Sequence, residues 1–161
     1  MQGYYQFVTF RTKDSIDSYV SKVQNLKTTT KIKEQLIDNY LDKSTKGAYF
    51  YGELIDILRE FLLQKNIDIY ELVAFSIMPN HIHILFKEKE ELQNIIKQIK
   101  GGSSYLINKK LNRKTSLWSK YYYDKLIRDK KHFDLVYNYI KNNAVKAGLA
   151  DYKNRFYGVY E

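Results

Sequence analysis

Two histidines, His81 and His83, stand at i and i+2 in the run Ile77-Met78-Pro79-Asn80-His81-Ile82-His83-Ile84-Leu85-Phe86. In an extended segment that spacing points both imidazoles to one face. Imidazole is the commonest side-chain metal ligand, so a single strand would supply half of a metal site. The same spacing also suits the polar face of an ordinary half-buried strand, with Ile82 and Ile84 on its other side. Scarcity and context favour the metal. The chain has 3 histidines, and two of them follow a Met-Pro-Asn turn whose Pro79 is the only proline and biases Met78 toward an extended conformation.

A second group lies in Tyr139-Ile140-Lys141-Asn142-Asn143, where Tyr139 and Asn143 are four apart and share one face of an expected helix. A tyrosine hydroxyl forms covalent enzyme intermediates, but it is weak at a free pKa of about 10 and needs activation or a polarised electrophile. Asn143 offers a carbonyl oxygen. A divalent ion held by His81, His83 and Asn143 could polarise a phosphate for attack by Tyr139. With 16 tyrosines in the chain, any one taken alone is more often a packing or surface residue. Tyr121, Tyr122 and Tyr123 are chemical rivals, but they fall in an expected strand, and His132 is expected on a helix surface.

The elements that must position these residues follow from periodicity. Tyr5 to Arg11 alternates and is aromatic and β-branched, so a first strand is expected there. Residues 14–46 are polar, with weak periodicity in Ile32, Leu36, Ile37, Tyr40 and Leu41, and suggest a loop insertion carrying one short helix. Tyr49 to Gln64 repeats apolar residues at three- and four-residue intervals and predicts an amphipathic helix. Ile69 to Ala74 and Phe75 to Phe86 have strand character. Glu90 to Asn112 is helical again, with Gly101-Gly102 as a kink or a break. Leu117 to Ile127, with Trp118 and three tyrosines, reads as a strand, and Lys131 to Lys146 as a helix ended near Gly148. This order suggests an α+β domain with helices packed on an antiparallel sheet.

Composition bounds the setting. The 161 residues suit one domain, 1–161, without a linker. No apolar run approaches the 18 or so residues of a membrane span, and Met1 to Gln6 lacks the pattern of a signal peptide. Without cysteine, disulfides and thiolate sites are excluded, and a cytoplasmic location is the default expectation. The net charge of +9 accompanies 16 tyrosines and 8 phenylalanines. Cations neutralise phosphates and rings stack on unpaired bases, although an AT-rich genome yields lysine-rich proteins of every function. Lys109, Lys110, Arg113, Lys114 and Lys120 cluster near an expected helix-to-strand turn, suitable for a nucleic-acid backbone. Arg128 would contact phosphate or, the plainer expectation, pair with Asp129.

The Met-Pro-Asn-His-Ile-His-Ile-Leu-Phe segment resembles the His-hydrophobic-His motif of the HUH single-tyrosine, IS200-like transposases. Trp118, Tyr122 to Asp129 and Tyr139 to Leu149 resemble the C-terminal half of the REP-associated tyrosine transposases in that group. The resemblance runs from the first strand to Leu149, and residues 14–46 carry none of it. It implies a ferredoxin-like antiparallel sheet with helices packed on one face and a nucleophile-bearing C-terminal helix. It implies that His81 and His83 ligate Mg²⁺ or Mn²⁺, that Asn143 is a polar third ligand and that Tyr139 is the nucleophile. Such proteins cut and rejoin single-stranded DNA, often beside a hairpin, through a 5′-phosphotyrosine. Ala144 stands where many relatives have proline, which should let the helix continue. Two other readings stay open: a domesticated, non-cleaving hairpin-DNA-binding regulator, and a metal-dependent RNA nuclease. A homodimer and a monomer are equally compatible with the sequence.

Overall fold

Alternation along the strands decides which side chains meet. The structure, a computed structural model, describes residues 3–161. Met1 and Gln2, the start of the stretch read for a targeting pattern, lie outside the described residues. In β1 (Tyr5–Arg11) Val8 and Phe10 face one side of the sheet, while Phe7, Thr9 and Arg11 face the other. In β3 (His81–Glu88) Ile82, Ile84 and Phe86 share the first side, and His81, His83 and Leu85 the second. The two strands pair antiparallel from Tyr5↔Lys87 to Arg11↔His81, a register that sets Thr9 opposite His83. β2 (Tyr70–Ile77) joins β3 through the Met78-Pro79-Asn80 turn, and its register shifts between Leu72 and Ala74. β4 (Tyr123–Leu126) flanks β1 and β5 (Phe156–Gly158) flanks β2, giving the antiparallel order β4-β1-β3-β2-β5. The first four strands have the ferredoxin-like order, so the α+β expectation holds.

Two helices, α3 (Glu53–Gln64) and α4 (Leu92–Leu111), cover the first face. Leu58, Phe61 and Leu62 from α3, with Ile95, Ile96 and Ile99 from α4, pack on Val8, Phe10, Ile82, Ile84 and Phe86. Burying each such side chain is worth about 1.5–3 kcal/mol, so this face carries most of the apolar stabilisation. The helix runs unbroken through the Gly101-Gly102 pair. A Cβ at Gly102 would lie 2.5 Å from the Phe61 ring, so the glycine is the condition for the α3–α4 approach. Trp118 seals the end of this core, donating from Nε1 to Ser103 Oγ at 2.9 Å.

Helices pack on both faces and not on one as the resemblance implies: Val73, Ala74 and Leu85 make the second face apolar too, and α5 (Lys130–Lys146) covers it with Val136, Tyr137 and Ile140. As the alanine at 144 suggests, α5 runs on past Asn143, with Ala144 buried. The histidine end of that face lies under α2 (Thr30–Leu41).

Three further departures from the sequence reading have physical reasons. Residues 14–46 are no loop with one short helix. They form α1 (Ser18–Gln24), capped by Asp17, and the full α2, and Val20, Val23, Ile37 and Leu41 make a small core of their own. The periodicity looked weak because α2 exposes Ile32 and Leu36 and spends one buried position on a charge, Asp38. The aromatic stretch 117–127 is extended as a sheet strand only at β4; Trp118 meets Thr12 in an isolated bridge and Tyr121 stands in solvent. The C-terminal segment adds α6 (Tyr152–Arg155) and β5, with the buried Arg155 donating to the Phe50 and Ile77 carbonyls at 3.0 and 2.9 Å.

Candidate active site

The turn before β3 fixes the chemistry of the first histidine. Asn80 Nδ2 donates to the Leu41 carbonyl at 2.9 Å and the Ser44 carbonyl at 3.3 Å, which orients the amide. Its Oδ1 then meets His81 Nδ1 at 2.7 Å. A carbonyl oxygen only accepts, so Nδ1 carries the hydrogen and the lone pair sits on Nε2. His83 Nδ1 lies 2.7 Å from Thr9 Oγ1, the cross-strand partner set by the register. Both rings are fully buried, and neither Nε2 has a hydrogen-bond partner among the described residues. The polar face is therefore no half-exposed strand surface. Desolvation pushes His81 down to about 3, with the proximity of His83 adding to it and Asp38 opposing. Burial likewise lowers His83 to about 4 against the pull of Asp38. At neutral pH both imidazoles are uncharged, the form that ligates metals.

Helix α2 places two carboxylates over them, one turn apart. Asp38 Oδ2 is 3.8 Å from His83 Nε2, and Asp42 Oδ1 is 3.9 Å from His81 Nε2. Ligand atoms of Asp38, His81 and His83 all lie within 4.8 Å of one another, a spacing one cation can bridge. Burial alone would raise Asp38, but charge on His83 and His81, the Arg11 guanidinium and the Tyr139 hydroxyl together hold it below its ordinary value. With the imidazoles neutral at pH 7, Arg11 and the phenol are the working partners. Arg11 lies 3.4 Å from Asp38 Oδ1 and pairs with Glu34 one helical turn earlier. Asp42 behaves oppositely: desolvation, reinforced by the neighbouring Asp38 charge, lifts it to about 7.

Helix α5 brings the third part. Tyr139 donates its hydroxyl hydrogen to Asp38 Oδ2, and its ring stands edge-on to His83 with centroids 5.3 Å apart. Burial, then the Asp38 charge, pushes this phenol well above its ordinary value. Asn143, one turn on, is buried with an Oδ1 that lacks a hydrogen-bond partner among the described residues. Two neutral imidazoles beside the Asp38 carboxylate fit a divalent cation, and His81, His83, Asp42 and Asn143 each carry a buried polar atom without a hydrogen-bond partner among the described residues.

The IS200-like transposase family profile matches residues 28–143, which span every one of these groups except Thr9 and Arg11. The chain belongs to the IS200-like transposase family. It is 26% identical to a Haemophilus influenzae protein named "Putative REP-associated tyrosine transposase", over 71% of this chain and 80% of the relative. Its fold is similar to that in a structure described as a REP-associated tyrosine transposase bound to a REP hairpin. There the TM-score is 0.56 and the identity 16%, with 92% of this chain and 70% of the other covered. The match from residue 28 also brings α2, which carries no sequence resemblance by eye, into the family region.

In this member of the IS200-like transposase family the expected nucleic-acid contacts are dispersed. Lys110 pairs with Glu53 at 3.0 Å, and Arg113 pairs with Asp14 at 2.8 Å and stacks on Tyr49. Lys109 lies over the Tyr105 ring, Lys120 over the Tyr121 ring, and Lys114 is exposed. Arg128 makes no ion pair with Asp129; that carboxylate instead caps α5 by accepting from the His132 backbone N–H. His132 is half-buried in the first turn of α5, and its Nδ1 accepts from the Arg128 N–H. Arg128 lines a cleft of about 400 Å³ that runs from Lys31 and Lys125 to Asp38 and Tyr139. Of the rival tyrosines, Tyr122 packs on Phe10 in the core, while Tyr123 borders this cleft. Asp38, Asp42, Arg11, Thr9 and Asn80 went unread in the sequence. The i, i+4 spacing of Glu34, Asp38 and Asp42 was the available signal.

Among the described residues, no helix is long and apolar enough to cross a membrane.

Proposed function

We propose that this family member cuts and rejoins single-stranded DNA beside a hairpin, with Tyr139 as nucleophile and His81, His83 and Asn143 holding Mg²⁺ or Mn²⁺. The observation that carries the reading is the pair of buried Nε2 atoms, unpartnered and with the His81 tautomer set by Asn80, next to the Tyr139 hydroxyl. A divalent cation bound there would withdraw charge from a phosphate oxygen and make the phosphorus more electrophilic. Asn80 sets the His81 tautomer and Thr9 anchors the His83 ring through Nδ1, so both buried Nε2 atoms would be available to the ion. Tyr139 supplies the attacking oxygen. Its bond to phosphorus forms as the P–O3′ bond breaks, and the phenolic proton is taken up overall by the departing 3′-oxygen. The products are a 5′-phosphotyrosyl protein and a free 3′-hydroxyl, and reversal by a 3′-hydroxyl reseals the strand without a nucleotide cofactor.

The cleft between Lys125, Arg128 and Tyr139 suits an unpaired strand, because it joins cations to aromatic rings at the nucleophile. Lys109, Lys114 and Lys120 remain candidates for the hairpin backbone, whereas Lys110 and Arg113 already have acidic partners. The hairpin-bound relative supports a hairpin as the DNA partner.

The test is a denaturing gel of wild type and Tyr139→Phe with labelled single-stranded hairpin DNA, in Mn²⁺ or chelator. A protein-linked band in wild type with Mn²⁺, absent from the variant and from chelator, is the expected result. Normal cutting by Tyr139→Phe would remove the nucleophile. Hairpin binding without any linked band would favour a non-cleaving regulator, and cutting that requires a 2′-hydroxyl would favour an RNA nuclease.

A further inference from the structure

The cluster at the histidines contains one group that faces both the cation ligands and the nucleophile. Asp38 is buried on α2, its Oδ2 is 3.8 Å from His83 Nε2, and the same oxygen accepts the Tyr139 hydroxyl. We propose that Asp38 is a ligand of the divalent cation and exchanges its Tyr139 hydrogen bond for that ion, so that metal binding releases the nucleophile. The proposal rests on the reading that His81 and His83 hold the cation.

Three observations carry it. Ligand atoms of Asp38, His81 and His83 lie within 4.8 Å of one another, so a cation on the two Nε2 atoms is within reach of the carboxylate. Both Nε2 atoms are buried and unpartnered, so the arrangement on the imidazole side is already made. The other carboxylate oxygen, Oδ1, is anchored 3.4 Å from the buried Arg11, which is itself fixed on β1 by pairing with Glu34. Anchored at Oδ1, the carboxylate has Oδ2 left for the imidazole side. A phenol and a divalent ion compete for the charge on that oxygen, and the cation, the stronger claimant in a buried site, weakens it as an acceptor for the phenol. Asp38 thus acts as a positioning residue for Tyr139 before the ion arrives and as a ligand afterwards. Asn80, which ties the end of α2 to the turn before His81, keeps helix and strand in register through the exchange.

Linkage makes the two halves of the proposal separately measurable. If the ion displaces the phenol, then removing the phenolic oxygen must tighten ion binding, because no hydrogen bond is then given up. Calorimetric titration of the full chain with Mn²⁺ alone, without DNA, reads this directly. Asp38→Asn, which keeps the shape of the side chain, should raise the Mn²⁺ dissociation constant at least tenfold. Tyr139→Phe should lower it by about tenfold, the equivalent of one hydrogen bond to a charged acceptor. A merely structural role for Asp38 would not produce that second change, and the Tyr139→Phe arm stands even if Asp38→Asn fails to fold.

Mn²⁺ affinity unchanged in Asp38→Asn but lost in His83→Ala would overturn the ligand role while leaving the histidine site intact. Unchanged or weaker binding by Tyr139→Phe would overturn the exchange. No Mn²⁺ binding by wild type would sink the histidine reading and this proposal with it.

Discussion

Acidification from pH 6.5 to 4.5 in chelator should cost the folded protein roughly 2 kcal/mol through two buried histidines and the half-buried Asp42, and Asp42→Asn should about double that loss. His81 and His83 have folded values of about 3 and about 4 against 6.5. Between those values the unfolded chain binds protons that the folded state refuses, so their contribution is present above pH 6.5 and lost as pH falls. Asp42 works in the other direction. Its folded value of about 7 against 3.8 means that the folded state takes up a proton the unfolded chain does not, so stability is gained as pH falls through 7. At pH 5.5 the histidines give the unfolded chain an excess of about 1.8 protons and Asp42 returns about one to the folded state. The net, about 0.8 proton, multiplied by ~1.4 kcal/mol per pH unit and summed across the window, gives the roughly 2 kcal/mol. Without the Asp42 offset the same sum is roughly 4 kcal/mol. Urea denaturation at fixed pH, followed by fluorescence of the single, buried Trp118, measures both slopes against a common background of other carboxylates. Identical slopes for wild type and Asp42→Asn would refute the reasoning.

Gly102→Ala should destabilise by about 1–3 kcal/mol, because its methyl would press on the Phe61 ring. Gly101→Ala, with no atom within 4 Å, should be neutral or stabilise by up to ~1 kcal/mol; equal effects in urea melts would contradict the packing argument. Arg128→Ala should weaken single-stranded DNA binding and reduce its salt slope by about one. Lys110→Ala should do less, since Glu53 already holds that ammonium; filter-binding at several salt concentrations separates the two.

The strand carrying His81 and His83 was legible because strict alternation and a lone proline leave little freedom in that segment. The helix carrying Tyr139 was equally plain from its apolar spacing. Choosing Tyr139 among the tyrosines needed Asn143 and the family resemblance, since nothing in Tyr123 excludes it and that ring borders the same cleft. The acidic half of the site was illegible for a physical reason. A helix whose inward face includes Asp38 and whose outward face includes Ile32 does not separate apolar from polar residues, so pattern reading reduces it to one short helix in a loop insertion. Trp118 misled in the opposite way. Its β-like neighbours suggest a strand, yet Trp118 meets only Thr12 in an isolated bridge and its buried indole donates to Ser103.

The family match begins at residue 28, whereas the strand hydrogen-bonded along the whole length of the histidine strand ends at Arg11. A fragment trimmed to residues 28–143 would thus lack β1 and β5, two of the five strands, and both Thr9 and Arg11. Its β4 would have no neighbour, and β3 would present a raw edge of unpaired N–H and C=O groups lined by Ile82, Ile84 and Phe86. Such an edge invites pairing with a second copy. Sequence similarity here marks where the chemistry is kept, and a boundary drawn from it would produce a sticky, self-associating piece instead of a minimal enzyme.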